Sequence, residues 1–271
     1  MTAGHPPPLG PVVALVGLLA GVAYALAAGR LRRRGDGWPG RRDGAFGAGV
    51  ALLLWGWCGP LPGGPFTEHS VRHLFVGMAA PVLLVMARPL TLTLRTLPPG
   101  GPRRGLLSVA HSRIAGWLLL PPLAAALHIG GVWALYRTGL MSVTHRHPPL
   151  DVLVHLHMVG AGLLFGFAVC QLDPVRRRRS LPVRAGTLLV AGAAHAALAK
   201  GLYAAGPPGT AFTADDLHTG AQIMYYGGDA AELLLAAALA VQWYAATGRR
   251  QTRAVTRRGY GTGLRVQRPQ A

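Results

Sequence analysis

Long apolar runs separated by short arginine-dense segments constrain this chain more than any other feature of its sequence. An α-helix rises 1.5 Å per residue, so about 20 apolar residues cross a hydrocarbon core of about 30 Å. Runs of that kind cover about Leu9–Gly29, Ala45–Leu61, Glu68–Ala87, Ile114–Tyr136, Leu150–Gln171, Ala185–Ala205 and Thr219–Thr247. The second is short and rich in glycine. The first has no Lys or Arg before it and a cluster after it, which suits a retained span and not a cleaved leader. The expected fold is all-α: a polytopic transmembrane bundle of seven helices in a bacterial plasma membrane.

Charge orients the bundle. Only 13% of residues are charged, against roughly 25% in soluble domains. The net charge of +18 does not mark a nucleic-acid binder, because its arginines lie between apolar runs. Of the 27 basic residues, 23 fall in the first, third and fifth connections and in the tail. The alternate connections hold Arg137 and Arg146. The positive-inside rule then predicts an outside N-terminus and a cytoplasmic C-terminus. Residues 1–248 read as the membrane domain and 249–271 as a disordered basic cytoplasmic tail lying against anionic lipid. Cys58 and Cys170 fall at opposite faces and are not expected to pair. Pro81 is expected to kink its helix, and Pro121–Pro122 to kink theirs or delay its start.

Against that topology the histidines stand out. Nine of eleven fall in the outer half of the bundle or the outer connections: His69, His73, His128, His145, His147, His155, His157, His195 and His218. His69 and His73 are four apart and share a helix face, as do Asp151 and His155, where a carboxylate can orient an imidazole. His155 and His157 are about 200° apart around a helix, so one of them at most shares a site with His69 and His73. His128 lies in the outer part of its helix and His195 near the middle of its own. The candidate metal ligands are therefore His69, His73, His128, His155 or His157, and His195. Met158 and Met224 are candidate soft ligands, although methionine in an apolar bundle is ordinarily core filler. Asp216 lies at the outer surface. Asp229 and Glu232, three apart, lie mid-membrane, where ionisable groups are costly and usually functional. Imidazoles without thiolates suit copper or zinc, or haem iron as axial ligands.

The order of these motifs resembles one family. E-H-S-V-R-H-L-F-V-G-M-A-A-P-V-L-L-V-M-A-R-P-L (Glu68–Leu90) is similar to the H-x-x-x-H-L-L…A-P…G-x-P-L segment of the multi-span CtaG proteins, the cytochrome c oxidase assembly factors of Gram-positive bacteria. Leu127–Tyr136, His155–Phe165, Leu172–Pro174, Ala194–Ala199 and Asp216–Asp229 extend the resemblance in the same order, from about 45 to 243. Where the family has a D-Q-Q-x-G-G-x-x-M-W type of segment, this chain keeps Asp216, Gly220 and Met224 but replaces both glutamines and the tryptophan. The resemblance implies a non-enzymatic membrane chaperone that matures the haem–copper oxidase by supplying or positioning copper from the outer face. Its partners would be oxidase subunits in the bilayer.

Two other functions compete. A di-haem b oxidoreductase would draw histidine pairs from His73, His128, His157 and His195, with nearby glycines making room for the rings. The cytoplasmic half, however, offers no intramembrane histidine for a second haem. An ion or proton-coupled transporter would use Asp229, Glu232 and Lys200, but the sequence has no visible internal repeat.

Overall fold

The computed structural model describes residues 9–144, 146–174 and 176–263, with the backbone alone for 249–263. The described residues are helical and contain no strand. The long elements are α1 (Gly10–Arg33), α2 (Gly40–Cys58), α8 (Pro121–Arg137), α10 (Pro148–Cys170), α11 (Leu181–Ala204) and α12 (Ala214–Gly263). The third apolar run is a compound rod: α3 (Pro65–His73), a π-helix (Leu74–Ala79), α4 (Ala80–Met86) and α5 (Pro89–Thr96). Short helices α6 (Gly101–Ala110), α7 (Arg113–Leu118) and α9 (Leu140–Thr144) complete the chain. The tail expected from residue 249 falls partly on the end of α12 and partly, at 264–271, outside the described residues.

Among the described residues, five stretches are long and apolar enough to cross a membrane: Gly10–Arg33, Pro65–Thr96, Pro148–Cys170, Leu181–Ala204 and Ala214–Gly248. The other two expected spans fall short for visible reasons. α2 opens on Arg41, Arg42 and Asp43. The 17 residues of α8 reach only about 26 Å, because proline lacks the N–H to extend a helix and the chain restarts at Pro121 after α7. Pro81 acts differently from a simple kink. The carbonyl four residues before it, Gly77, has no proline N–H to accept, and the chain widens there into the π-helix.

Helix ends are tied by long-range polar contacts. At the arginine-rich end, Arg184 donates through Nη1 to the Val169 carbonyl at 3.0 Å and to Gln242 Oε1 at 3.0 Å, joining α10, α11 and α12. Asp173, from the Leu172–Pro174 motif, accepts the Thr91 backbone N–H at 2.8 Å and the Thr91 hydroxyl, closing the first turn of α5. At the opposite end Asp216 accepts the N–H groups of Phe66 and Thr67, both at 2.9 Å. That carboxylate satisfies two of the orphan donors that begin α3.

Between the ends the helices approach closely over small residues. Gly162 of α10 sits against the Gly77 carbonyl, where any Cβ would strike it. One apolar cluster, around Phe66, Tyr136, Leu198, Leu202 and Met224, fills the arginine-poor half. Another, around Val85, Phe165, Val169, Leu188 and Leu235, fills the arginine-rich half. Large apolar side chains such as Leu18, Leu189, Leu233 and Val241 cover the outside, as lipid contact requires.

Candidate functional site: a buried imidazole array

Four imidazoles from three segments meet between those two clusters. α3 supplies His69 and His73, α10 supplies His155 and α11 supplies His195, each at most 7% exposed. They form two levels. His69 faces His155 with ring centroids 6.2 Å apart. His73 lies one helical turn, about 6 Å, further along α3 and faces His195 at 5.9 Å. Tyr136 of α8 stands edge-on to both α3 histidines, at 5.6 Å from His69 and 6.2 Å from His73.

The hydrogen bonds define which nitrogens are available. Nδ1 of His155 lies 2.8 Å from the Asp151 carbonyl and 3.4 Å from its carboxylate, one turn back on α10. An acceptor at Nδ1 fixes the Nδ1–H tautomer and leaves the Nε2 lone pair directed into the protein. That Nε2, both ring nitrogens of His73, Nε2 of His195 and the Tyr136 hydroxyl are buried without a hydrogen-bond partner among the described residues. Leaving such a group unsatisfied costs about 1–3 kcal/mol. This chain concentrates such groups in one place.

The remaining candidates separate. His128, in α8, is buried and stacks on Phe165 at 5.3 Å, yet it lies within electrostatic reach of His73 and His195 and so borders the array. His157 points outward, with Nε2 3.2 Å from the Leu127 carbonyl and its ring over Gly131. His147 is exposed, His218 stacks on Tyr203 at 4.1 Å, and His145 lies outside the described residues. Met158 is buried beside Gly77, and Met224 packs in the core against Tyr136 and Phe66. Asp216 is the helix cap described above. Glu68, a second acidic residue near it, pairs with Arg72 at 2.6 Å. Asp229 and Glu232 line a cavity of about 790 Å³ between α11 and α12, walled by Leu188, Leu189, Leu233 and Trp243. Gly228, next to Asp229, leaves the space that the His195 ring fills.

Two imidazoles bound to opposite sides of one ion place their ring centroids roughly 6 Å apart, and a tetrahedral pair roughly 5 Å. Both observed separations match the first geometry. No set of three or more His, Cys, Asp or Glu side chains among the described residues converges as a metal cage. The imidazoles thus form two facing pairs, one above the other.

Sequence spacing missed two members. Tyr136 signalled itself only as a tyrosine near the end of an apolar run, and Trp57, 5.5 Å from the His155 ring, gave no signal. His195 was found as a candidate, but its pairing with His73 was not.

These features define a multi-pass helical protein of the plasma membrane with an ionisable cluster inside its bundle. Residues 22–246 match the model of the cytochrome c oxidase caa3 assembly factor family, Caa3_CtaG, and the chain belongs to that family. It is 32% identical over 194 residues to an uncharacterized protein of Mycobacterium bovis and, equally, to one of Mycobacterium tuberculosis; each match covers 68% of this chain and 29% of the relative. An uncharacterized protein of Mycobacterium leprae is 28% identical over 253 residues, covering 86% of this chain and 38% of the relative. The chain thus spans well under half the length of these curated relatives. No solved structure matches it.

Proposed function

We propose that this protein serves caa3-type oxidase assembly by taking up copper in the imidazole array and passing it to an oxidase subunit within the membrane. The observation that carries this reading is the set of buried, unpartnered nitrogens on His73, His155 and His195, spaced for two-imidazole ligation. Cuprous ion accepts two-coordinate ligation, and neutral imidazoles are good copper donors. Copper here is cargo, so the site needs exchangeable ligands and no nucleophile or general base. Two stacked positions about one turn apart suit movement of an ion between ligand pairs. We place the arginine-rich end in the cytoplasm, with seven crossings and an outside N-terminus, from the charge distribution. The array then lies toward the outer face, and Asp151 would orient His155 on its outer side.

The test is metal content and a visible spectrum on protein purified after copper-supplemented expression. About one copper per chain, lost in the His73→Ala/His195→Ala variant and retained in His157→Ala, is the expected result. A haem spectrum with no copper would overturn the proposal in favour of the di-haem reading.

A further inference from the structure

At the arginine-rich end, far from the imidazoles, a cavity of about 410 Å³ opens between α7, the end of α10 and the connection to α11. Arg113, Arg176, Arg177 and Arg179 line it, and Gln171 lies at its edge. None of the four arginines makes an ion pair among the described residues. The acid closest in sequence, Asp173, is turned away and committed to Thr91. The connection is held in shape by Gln171, a left-handed residue with φ 46° whose side-chain oxygen accepts the Arg179 N–H at 3.0 Å. The Arg176 stem passes over Gly116 of α7.

The other wall is apolar. Trp117, Leu119, Leu120 and Phe167 complete the lining. Trp117 and Ile114 are 67% and 72% exposed, and neither α6 nor α7 buries a single residue. An exposed tryptophan beside unpaired arginines at a helix end is the composition of the membrane interface. The four arginines are exposed cations without an acidic partner among the described residues, and the wall beside them is apolar, a combination suited to an anionic headgroup with hydrocarbon attached.

We propose that this cavity binds the phosphate group of an anionic phospholipid, with the four arginines around the phosphate and the acyl chains leaving over Trp117 and Phe167. A cationic pocket between helix ends is a known way for membrane proteins to select acidic headgroups. A soluble phosphate ester shares the anion but not the apolar wall, so the two sources can be separated.

The full-length protein, delipidated in mild detergent, would be titrated with phosphatidylglycerol, with phosphatidylcholine of the same chains, or with glycerol 3-phosphate, and adducts counted by native mass spectrometry. Phosphatidylglycerol should be retained in preference to the other two. The Arg176→Gln/Arg177→Gln variant should retain it roughly thirtyfold less well, the change expected for two lost cationic contacts. Arg33→Gln/Arg34→Gln removes the same charge at the same end but outside the cavity, and should change retention less than about threefold. Equal loss in both variants would overturn the proposal, as would equal retention of phosphatidylcholine or displacement of the lipid by equimolar glycerol 3-phosphate.

Discussion

Replacing Asp216 by alanine should destabilise the bundle without emptying the copper site proposed above. The Asp216 carboxylate bridges the start of α12 to the start of α3, accepting from Phe66 and Thr67 at 2.9 Å each, while its carbonyl accepts the Thr67 hydroxyl at 3.1 Å. A hydrogen bond to a charged group contributes about 1.5–3 kcal/mol, and a lost helix cap costs about 0.5–2 kcal/mol. Both bonds here share one partly solvated carboxylate, so water recovers some of the loss and about 2 kcal/mol is expected. For a chain of this size that lowers the unfolding midpoint by roughly 4–8 °C. Asp216→Asn keeps one good acceptor and should lose about half as much. Cys170 is buried while Cys58 is exposed, so in a Cys58→Ser background a thiol-reactive dye reports unfolding directly. A midpoint unchanged in Asp216→Ala, together with lost copper, would refute the capping role and make Asp216 a ligand.

Three further outcomes follow from the packing. Gly162→Val should sharply lower the yield of folded protein, because its side chain would strike the Gly77 carbonyl; Gly160→Val, with open space around it, should behave like the parent on size-exclusion chromatography. His155→Ala should lower copper content while His157→Ala leaves it unchanged, measured by mass spectrometry on the purified variants. Gly228→Ala removes no donor but crowds the His195 ring, so copper affinity in a chelator competition should fall while the array keeps all its imidazoles.

Much of this arrangement was legible in the chain, and the illegible part has one physical origin. Helical spacing alone placed His69 and His73 on one face and required that His155 and His157 diverge. Spacing could not say which of the latter faces inward, because the rotation of α10 about its axis is set by contacts such as Gly162 on Gly77. Burial of one face by neighbours also decided the partner of His73. His128, which spacing placed as near to the array as His195, stacks on Phe165 while lying within electrostatic reach of both His73 and His195. The caps made by Asp216 and Asp173 join residues 150 and 82 positions apart, beyond the reach of any local pattern. Those two acids were conspicuous as motif members, and their work in the fold is structural.

The π-helix at Leu74–Ala79 lies directly below His73 and gives the α3 rod a property that straight helices lack. A π-turn stores one surplus residue in the thread of the screw. If that residue were taken up into ordinary α winding, everything beyond it would rotate by about 100°. His69 and His73 would turn together away from His155 and His195, breaking both facing pairs in a single motion. The rod is thus geared so that one slipped residue would part both facing histidine pairs at once, with the arginine-rich half of the bundle held still.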